Sequence, residues 1–533
     1  MFLILSMFPL YSQEAAPGGG GSEEPASSEG ASSPKGDAAS PDGFQDDSTL
    51  YVITGYKYNV KGRSSPIALQ YKLIEHGEYR EGETITGKTN LEKYISDITQ
   101  IYINQRVLKN NVEVSYSAGG RNEAGAYPVT IIINVEDSFN IIAIPRPYFK
   151  NDEFDITIKA RDYNFLGTMN PLRIDLGYNY NENKEQSYLF GVFTDIPFKA
   201  FGYYWTVTFD NTLQYRVDAP FYYQNTTGLS VELPFRSTTF YLGFSEKIFL
   251  NEENSDWTEG ADYGPCQDGL YMSSNMSLSW RIPTGLTVPG FGELAYTPGI
   301  TATINHELPK WPLDYFRKGP FINFIHSLGF GKIDWHENYR EGLSVSLSNV
   351  YSYDFYRTLN SISLNFTGIG HYIVSEFFAI SSRFMYQYWY SSEETSEVGY
   401  TGAYMRGIAD KSNIAYQMFL LNLDLPFRLF VFTPSKWFNN RKLSLFDFEM
   451  HASPVIDLAL YYPKSFQKGR TIYYPGQIAA TGGLEVVVFP LFMRNLYMRF
   501  GFAVNIKEFL TTRPFSVPDG DNREIYLIME HFF

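Results

Sequence analysis

His451 stands in the run DFEMHASPVID, with Asp447, Glu449 and Asp457 on the same alternating parity. An imidazole among three carboxylates has the right types for acid–base or metal chemistry. The spacing favours a different reading. Residues two apart along a strand share a face, and here Phe446, Phe448, Met450, Ile456 and Leu458 make the opposite face apolar. A polar network on a wet sheet face accounts for the four residues, so no metal site is expected. The seven His are scattered, and the chain has no Gly-x-Ser-x-Gly and no His-Glu-x-x-His. Its one cysteine, Cys266, can build neither a disulfide framework nor a thiolate metal centre within the chain. No enzyme and no cofactor are expected.

A second group is Arg406 and Gly407, in the loop YTGAYMRGIADKSN. Arg offers five donors in a planar fork that fits a carboxylate. The segment that follows alternates regularly: Phe419, Leu421, Leu423, Leu425, Phe427 and Leu429 on one parity, Tyr416, Asn422, Asp424 and Arg428 on the other. That is the period a strand imposes on a sheet with one oily and one wet face.

The rest of the chain must position these residues. Aromatic residues make up 17% of its 533 residues. No run of about eighteen apolar residues offers a spanning helix, so any membrane contact falls to strands. Of the formal charge of -15, about half resides in 14–48, which carries eight acids against one Lys. The remainder is only mildly acidic and argues against a nucleic-acid binder.

Residues 1–13, MFLILSMFPLYSQ, read as the apolar core of a signal peptide, with no Lys or Arg before it and no lipid-bearing Cys after it. A positively charged region would then lie upstream of this start. Residues 14–48 are too poor in apolar side chains to order and read as an acidic Gly/Ser/Pro tether. Residues 49–138 form a small mixed unit in the order strand, helix, helix, strand, strand, whose edge strands could pair with another extended chain. A linker is expected at 139–152. From 153 to 533 helical patterns almost vanish and alternating segments recur, many as long as the roughly 9–11 residues a tilted strand needs to cross a bilayer. Charged residues on the polar face suit a wet lumen, and aromatics near strand ends suit interfacial girdles. Closure would satisfy every backbone edge in lipid.

Three motifs occur in one order: DYNFLGT (162–168), YMRGI (404–408) and SPVIDLAL (453–460), with the chain ending on REIYLIMEHFF. Together with the preceding mixed unit they resemble the BamA/TamA superfamily of outer-membrane assembly barrels, the bacterial surface antigen family, in a form with a single POTRA-like domain. Five segments follow the loop, at about 413–430, 444–463, 477–490, 497–509 and 524–533, and five is that family's number beyond its sixth loop. The resemblance implies an all-β transmembrane barrel of about sixteen antiparallel strands behind an α+β POTRA-like domain. It implies outer-membrane localisation with that domain in the periplasm. It makes Met405, Arg406, Gly407 and Ile408 the loop motif folded into the lumen, with Asp457 as wall partner and Asp424 or Glu449 as alternatives. Asp162, Asn164, Leu166 and Gly167 become the motif closing the first strand, and Phe533 the C-terminal strand signal. The implied function is insertion of other barrels by strand pairing at a lateral seam; the alternative is a dedicated secretion or solute channel. The implied partners are the lipid bilayer, unfolded barrel or secreted proteins, and accessory periplasmic proteins. This chain departs from the family's usual Val-Arg-Gly-Phe/Tyr at Met405 and Ile408, and from its Phe-x-Asp-x-Gly at Val455-Ile456-Asp457-Leu458-Ala459.

Overall fold

The computed structural model describes residues 48–76, 79–150, 153–180, 186–217, 221–250, 269–309, 311–313, 317–392, 399–400, 404–408, 414–467, 470–511 and 522–528. The expected signal segment, all but the end of the tether, Cys266 and Phe533 lie outside the described residues.

The N-terminal unit contains β1 (Leu50–Lys61), α1 (Pro66–His76), β2 (Thr84–Thr86), α2 (Lys88–Asn104), β3 (Glu113–Ala118) and β4 (Tyr127–Glu136). Its sheet runs β2-β1-β4-β3, with β1 and β4 parallel and the outer pairs antiparallel. The three-residue β2 is an addition to the expected order, too short to leave an alternating signature. Leu91, Tyr94, Ile98, Ile101 and Tyr102 of α2 recur at helical spacing and are buried. They pack on Ile53 of β1, Leu69 and Leu73 of α1, and Val129, Ile131 and Ile133 of β4. Each such aliphatic side chain contributes about 1.5–3 kcal/mol by leaving water.

The remaining strands form one closed ring in which chain neighbours pair antiparallel. Phe427–Phe432 continues Ile414–Asp424 beyond Pro426, and Gly399–Tyr400 and Arg470–Tyr473 are short hairpin tips. Apart from these, seventeen wall strands fall within the described residues of 153–533. The stretch expected as a linker supplies one more: Ile141–Lys150 pairs residue by residue with Glu153–Asp162 and neighbours Arg523–Ile528 where the ring closes. Pro145 and Pro147 hid it. Proline lacks the N–H a central ladder needs and is tolerated at strand edges, which is where a closing seam places it. Among the described residues the wall strands therefore number eighteen, even as is usual in bacterial barrels but more than the about sixteen expected. The expected first strand at 153 is the second.

Alternation sorts the wall as anticipated. Leu229, Leu242, Phe244, Met276 and Leu278 point outward and are exposed, and register places Leu229 beside Phe244, Phe244 beside Met276, and Leu242 beside Leu278. An outward belt of this kind matches lipid. Arg161, Lys247, Asn422 and Asp424 point inward and are buried. Strands such as Leu270–Val288, at 19 residues, exceed what a bilayer demands. The wall strand expected to run to 509 stops at Asn505 and turns into a short helix, Ile506–Thr511, which takes Lys507 off the wall.

The turns at 163–171, 201–202, 236–237, 337–338 and 491–497 lie at one end, where the N-terminal unit is docked. Phe201, Phe235, Phe377, Trp437 and Phe438 are exposed at turns of that same end. They have the character of an interfacial aromatic girdle.

Candidate functional site: a loop motif bonded inside the barrel

The loop between Phe378–Ser391 and Ile414–Asp424 leaves the end opposite the N-terminal unit, yet its segment Tyr404–Ile408 lies inside the ring. Arg406 is only 2% exposed. Its backbone N–H donates to Asp457 Oδ2 at 2.7 Å, and its Nε and Nη2 donate to Asp457 Oδ2 and Oδ1 at 3.0 and 2.5 Å. Nη1 donates to Asp424 Oδ1 at 2.5 Å and to Glu485 Oε1 at 3.3 Å. The sequence-expected partner Asp457 is thus the main one, and the alternative Asp424 is engaged as well. Both reach the lumen because strand parity turns them inward.

Glu449, the other alternative, is elsewhere. It accepts from Arg428 Nε at 2.8 Å and bonds the His451 ring at 2.6 Å. The apparent cluster around His451 is therefore dispersed, since Asp457 serves Arg406 and Asp447 accepts from Ser435. Among the described residues no group of His, Cys, Asp and Glu is arranged to hold a metal ion.

Sequence reasoning missed several members of the network. Asn422 Nδ2 bridges Tyr404 O and Asp457 Oδ1 at 3.0 and 2.8 Å. Arg499 bonds Glu485 through Nε and Nη2 and reaches Asp424 Oδ2 at 3.1 Å. Tyr526 donates to Glu485 Oε1 at 2.5 Å. Inward parity was the available signal, because Glu485 lies among Gly, Leu and Val in GGLEVVVFP and a lone acid there has to face water or a cation.

The motif's outer residues explain its unusual spelling. Met405 and Ile408 are buried against Met385, Leu420 and Ala459, a small dry patch on the inner wall. An unbranched Met fills such an irregular gap well. Between them Gly407 adopts φ +79, and a Cβ there would sit 2.7 Å from the Ala503 carbonyl carbon and the Val504 nitrogen. Glycine is required both for the left-handed backbone and for the close approach. Buried ion pairs of this kind specify a position better than they add stability. The arrangement holds a loop; it contains no nucleophile activated by a base.

The first motif ends the strand Glu153–Asp162, as expected, and does a second job besides. Asn164 is fully buried, and its Nδ2 donates to Ser64 Oγ at 2.9 Å and Asp137 Oδ2 at 3.0 Å in the N-terminal unit. Asp162 accepts both Nη1 and Nη2 of Arg63 at 3.0 and 2.9 Å. The Ser65 N–H donates to the Gly167 carbonyl at 2.8 Å. Leu166, with φ 54, projects outward and is exposed. Further along the mouth, Asn104 bonds both Asp334 and the Trp335 N–H, and Tyr71 donates to Glu232 at 2.8 Å. DYNFLGT is a clasp between unit and barrel.

No family model and no curated protein matches the chain. Solved structures do. CdiB from Acinetobacter baumannii is similar at 8% identity with a TM-score of 0.46, over 90% of this chain and 73% of that one. BamA from Haemophilus ducreyi lacking POTRA domains 1–3 is similar at 12% identity and 0.34, over 90% and 83%. CdiB from Escherichia coli is similar at 10% identity and 0.34, over 93% and 92%.

Proposed function

We propose that this chain is an outer-membrane barrel of the BamA/TamA assembly type, with its N-terminal unit in the periplasm, and that it delivers polypeptide into or across the membrane. The observation that carries this reading is Arg406, held inside the lumen by Asp457 and Asp424 on a loop whose sequence motif resembles that family's. The finer reading is insertion. Ile141–Lys150 and Arg523–Ile528 meet at the seam, and two residues of the former, Pro145 and Pro147, have no N–H to give to a ladder. An incoming strand can pair where that seam parts and so satisfy its backbone groups in lipid. The edge strands β2 and β3 offer the same pairing below. Nothing in this route needs a catalytic residue, a nucleotide or a metal.

A second reading, a dedicated secretion or solute channel, is favoured by the N-terminal unit docked at the turns of one end and the loop lodged in the lumen, both of which would then serve as plugs. Depleting the protein and quantifying other barrels in the outer membrane separates the two. A broad fall with unfolded barrels accumulating supports insertion. An unchanged barrel population with one missing surface protein or solute flux supports the channel. Deleting 393–412 adds a second axis, because a plugged channel should then conduct widely while an inserter should chiefly lose folding activity.

A further inference from the structure

Arg106 follows α2 and is only 2% exposed. Its backbone is immobilised by Val107 and Leu108, which enter the core of the unit, and by the Ser138 N–H donating to Val107 O at 2.8 Å. Its guanidinium lies 4.6 Å from the centre of the Trp335 ring, and Arg340 lies 5.6 Å from the same ring. Arg494 enters from the turn at 491–497 and donates to Leu108 O and Ile103 O at 2.7 and 3.1 Å. Three guanidiniums therefore converge where the unit meets the barrel floor.

Arg106 is the anomaly among them. Among the described residues its side chain bonds only Asn338 Oδ1, from Nη2 at 3.5 Å, while Nε and Nη1 have no partner. No carboxylate among the described residues pairs with it. Asp97 and Asp334 on this face are engaged by Lys332 and Asn104. A buried cation with unsatisfied donors is costly and calls for an acceptor that carries charge.

We propose that this junction binds a small phosphate-class oxyanion at Arg106, with Arg340 and Arg494 adding to the attracting field. Such an ion supplies acceptors for Nε and Nη1 and the missing negative charge, and three neighbouring cations favour it over a neutral ligand. Burial and the nearby guanidiniums push the pKa of Arg106 well down, and burial brings Arg494 to about 10, a strain that a shared anion relieves. The inference does not depend on whether the barrel inserts or secretes.

The test is calorimetric titration of inorganic phosphate into the full-length protein, folded in detergent in phosphate-free buffer, with chloride at matched ionic strength as the control. Saturable binding that weakens at least tenfold in Arg106→Met is the expected result, with barrel folding checked by heat-modifiable gel migration. If Arg106→Met does not fold, Arg106→Lys, which keeps the cation but offers fewer donors, should bind several-fold more weakly. Absence of saturable binding, or equal binding by whichever variant folds, overturns the proposal. Repeating the titration in bilayer discs with and without phosphatidylglycerol identifies the source. Competition by that lipid names a headgroup phosphate, and no competition names the free ion; either supports an oxyanion at Arg106.

Discussion

The backbone N–H of Gly407 donates to Glu524 Oε2 at 3.0 Å, which fastens the tip of the lumen loop to the last strand of the ring. Tyr526 on that strand bonds Glu485, which also receives Arg406 and Arg499. One polar network therefore runs from the loop through consecutive wall strands to the strand at the closing seam. Displacing either the loop or the last strand would disturb the same carboxylates.

Removing Arg406 leaves Asp457 buried without its cation and takes one of two cations from Asp424 and Glu485, which Arg499 still bonds. Breaking a buried pair from one side costs about 3–5 kcal/mol. Arg406→Ala and Asp457→Ala should both release the loop, read as new protease cleavage near 404–408 in the folded barrel. Glu449→Ala should leave the loop protected, because its partners are Arg428 and His451. Protection in all three variants would remove the loop assignment.

Gly407→Ala is a subtler lesion. The added Cβ meets backbone of Ala503 and Val504 at 2.7 Å, and a residue with a Cβ in left-handed backbone costs about 1–2 kcal/mol before any clash. The tip should lift while Arg406 keeps its charge. Single-channel recording should then show frequent openings, fewer than with the loop deleted and more than in the parent. Silent, parent-like traces would mean the tip is not what closes the pore.

The alternation of the wall and the inward turn of Asp457 and Asp424 were legible because period two needs no partner to be seen. The helix stripe of α2 was legible for the same reason at period 3.6. What escaped depends on juxtaposition. Glu485, Arg499 and Tyr526 meet only once distant strands are adjacent, and Ile141–Lys150 was masked by two prolines whose tolerance reflects its place at the seam. DYNFLGT was legible as the ending of the strand Glu153–Asp162, but not as a clasp, because its partners, Arg63, Ser64 and Asp137, lie in another unit.

Alkali should attack the N-terminal unit through its tyrosines. Burial pushes Tyr56 up from 10.0 to about 12, and Tyr94 and Tyr102 higher still. The neutral phenol is the form the core accepts. A folded pKa above the unfolded one means the stabilisation is fully present below pH 10 and is lost as pH climbs through about 12. Urea midpoints of residues 49–138, which close their own core, should hold steady from pH 7 to 10 and then fall, together with late phenolate absorbance. A midpoint that declines already between pH 7 and 9 would contradict this.

The clasp between unit and barrel offers a graded pair of substitutions. Arg63→Ala removes a bidentate contact whose Arg is half exposed, so solvent screening limits the loss to about 1 kcal/mol or less. Gly167→Ala is different in kind. Gly167 has φ +74 and a Cβ there would overlap the Arg63 carbonyl oxygen, so the two segments must separate and strain the Ser65 N–H to Gly167 O bond. A cysteine pair replacing Asn104 and Asp334, whose side chains bond at 2.9 Å, reports docking. Cross-linking should stay high in Arg63→Ala and drop sharply in Gly167→Ala. If the unit is a plug, conductance should rise in the same order; if cross-linking is equal in both, the unit is held by the rest of its interface and the motif serves the strand alone.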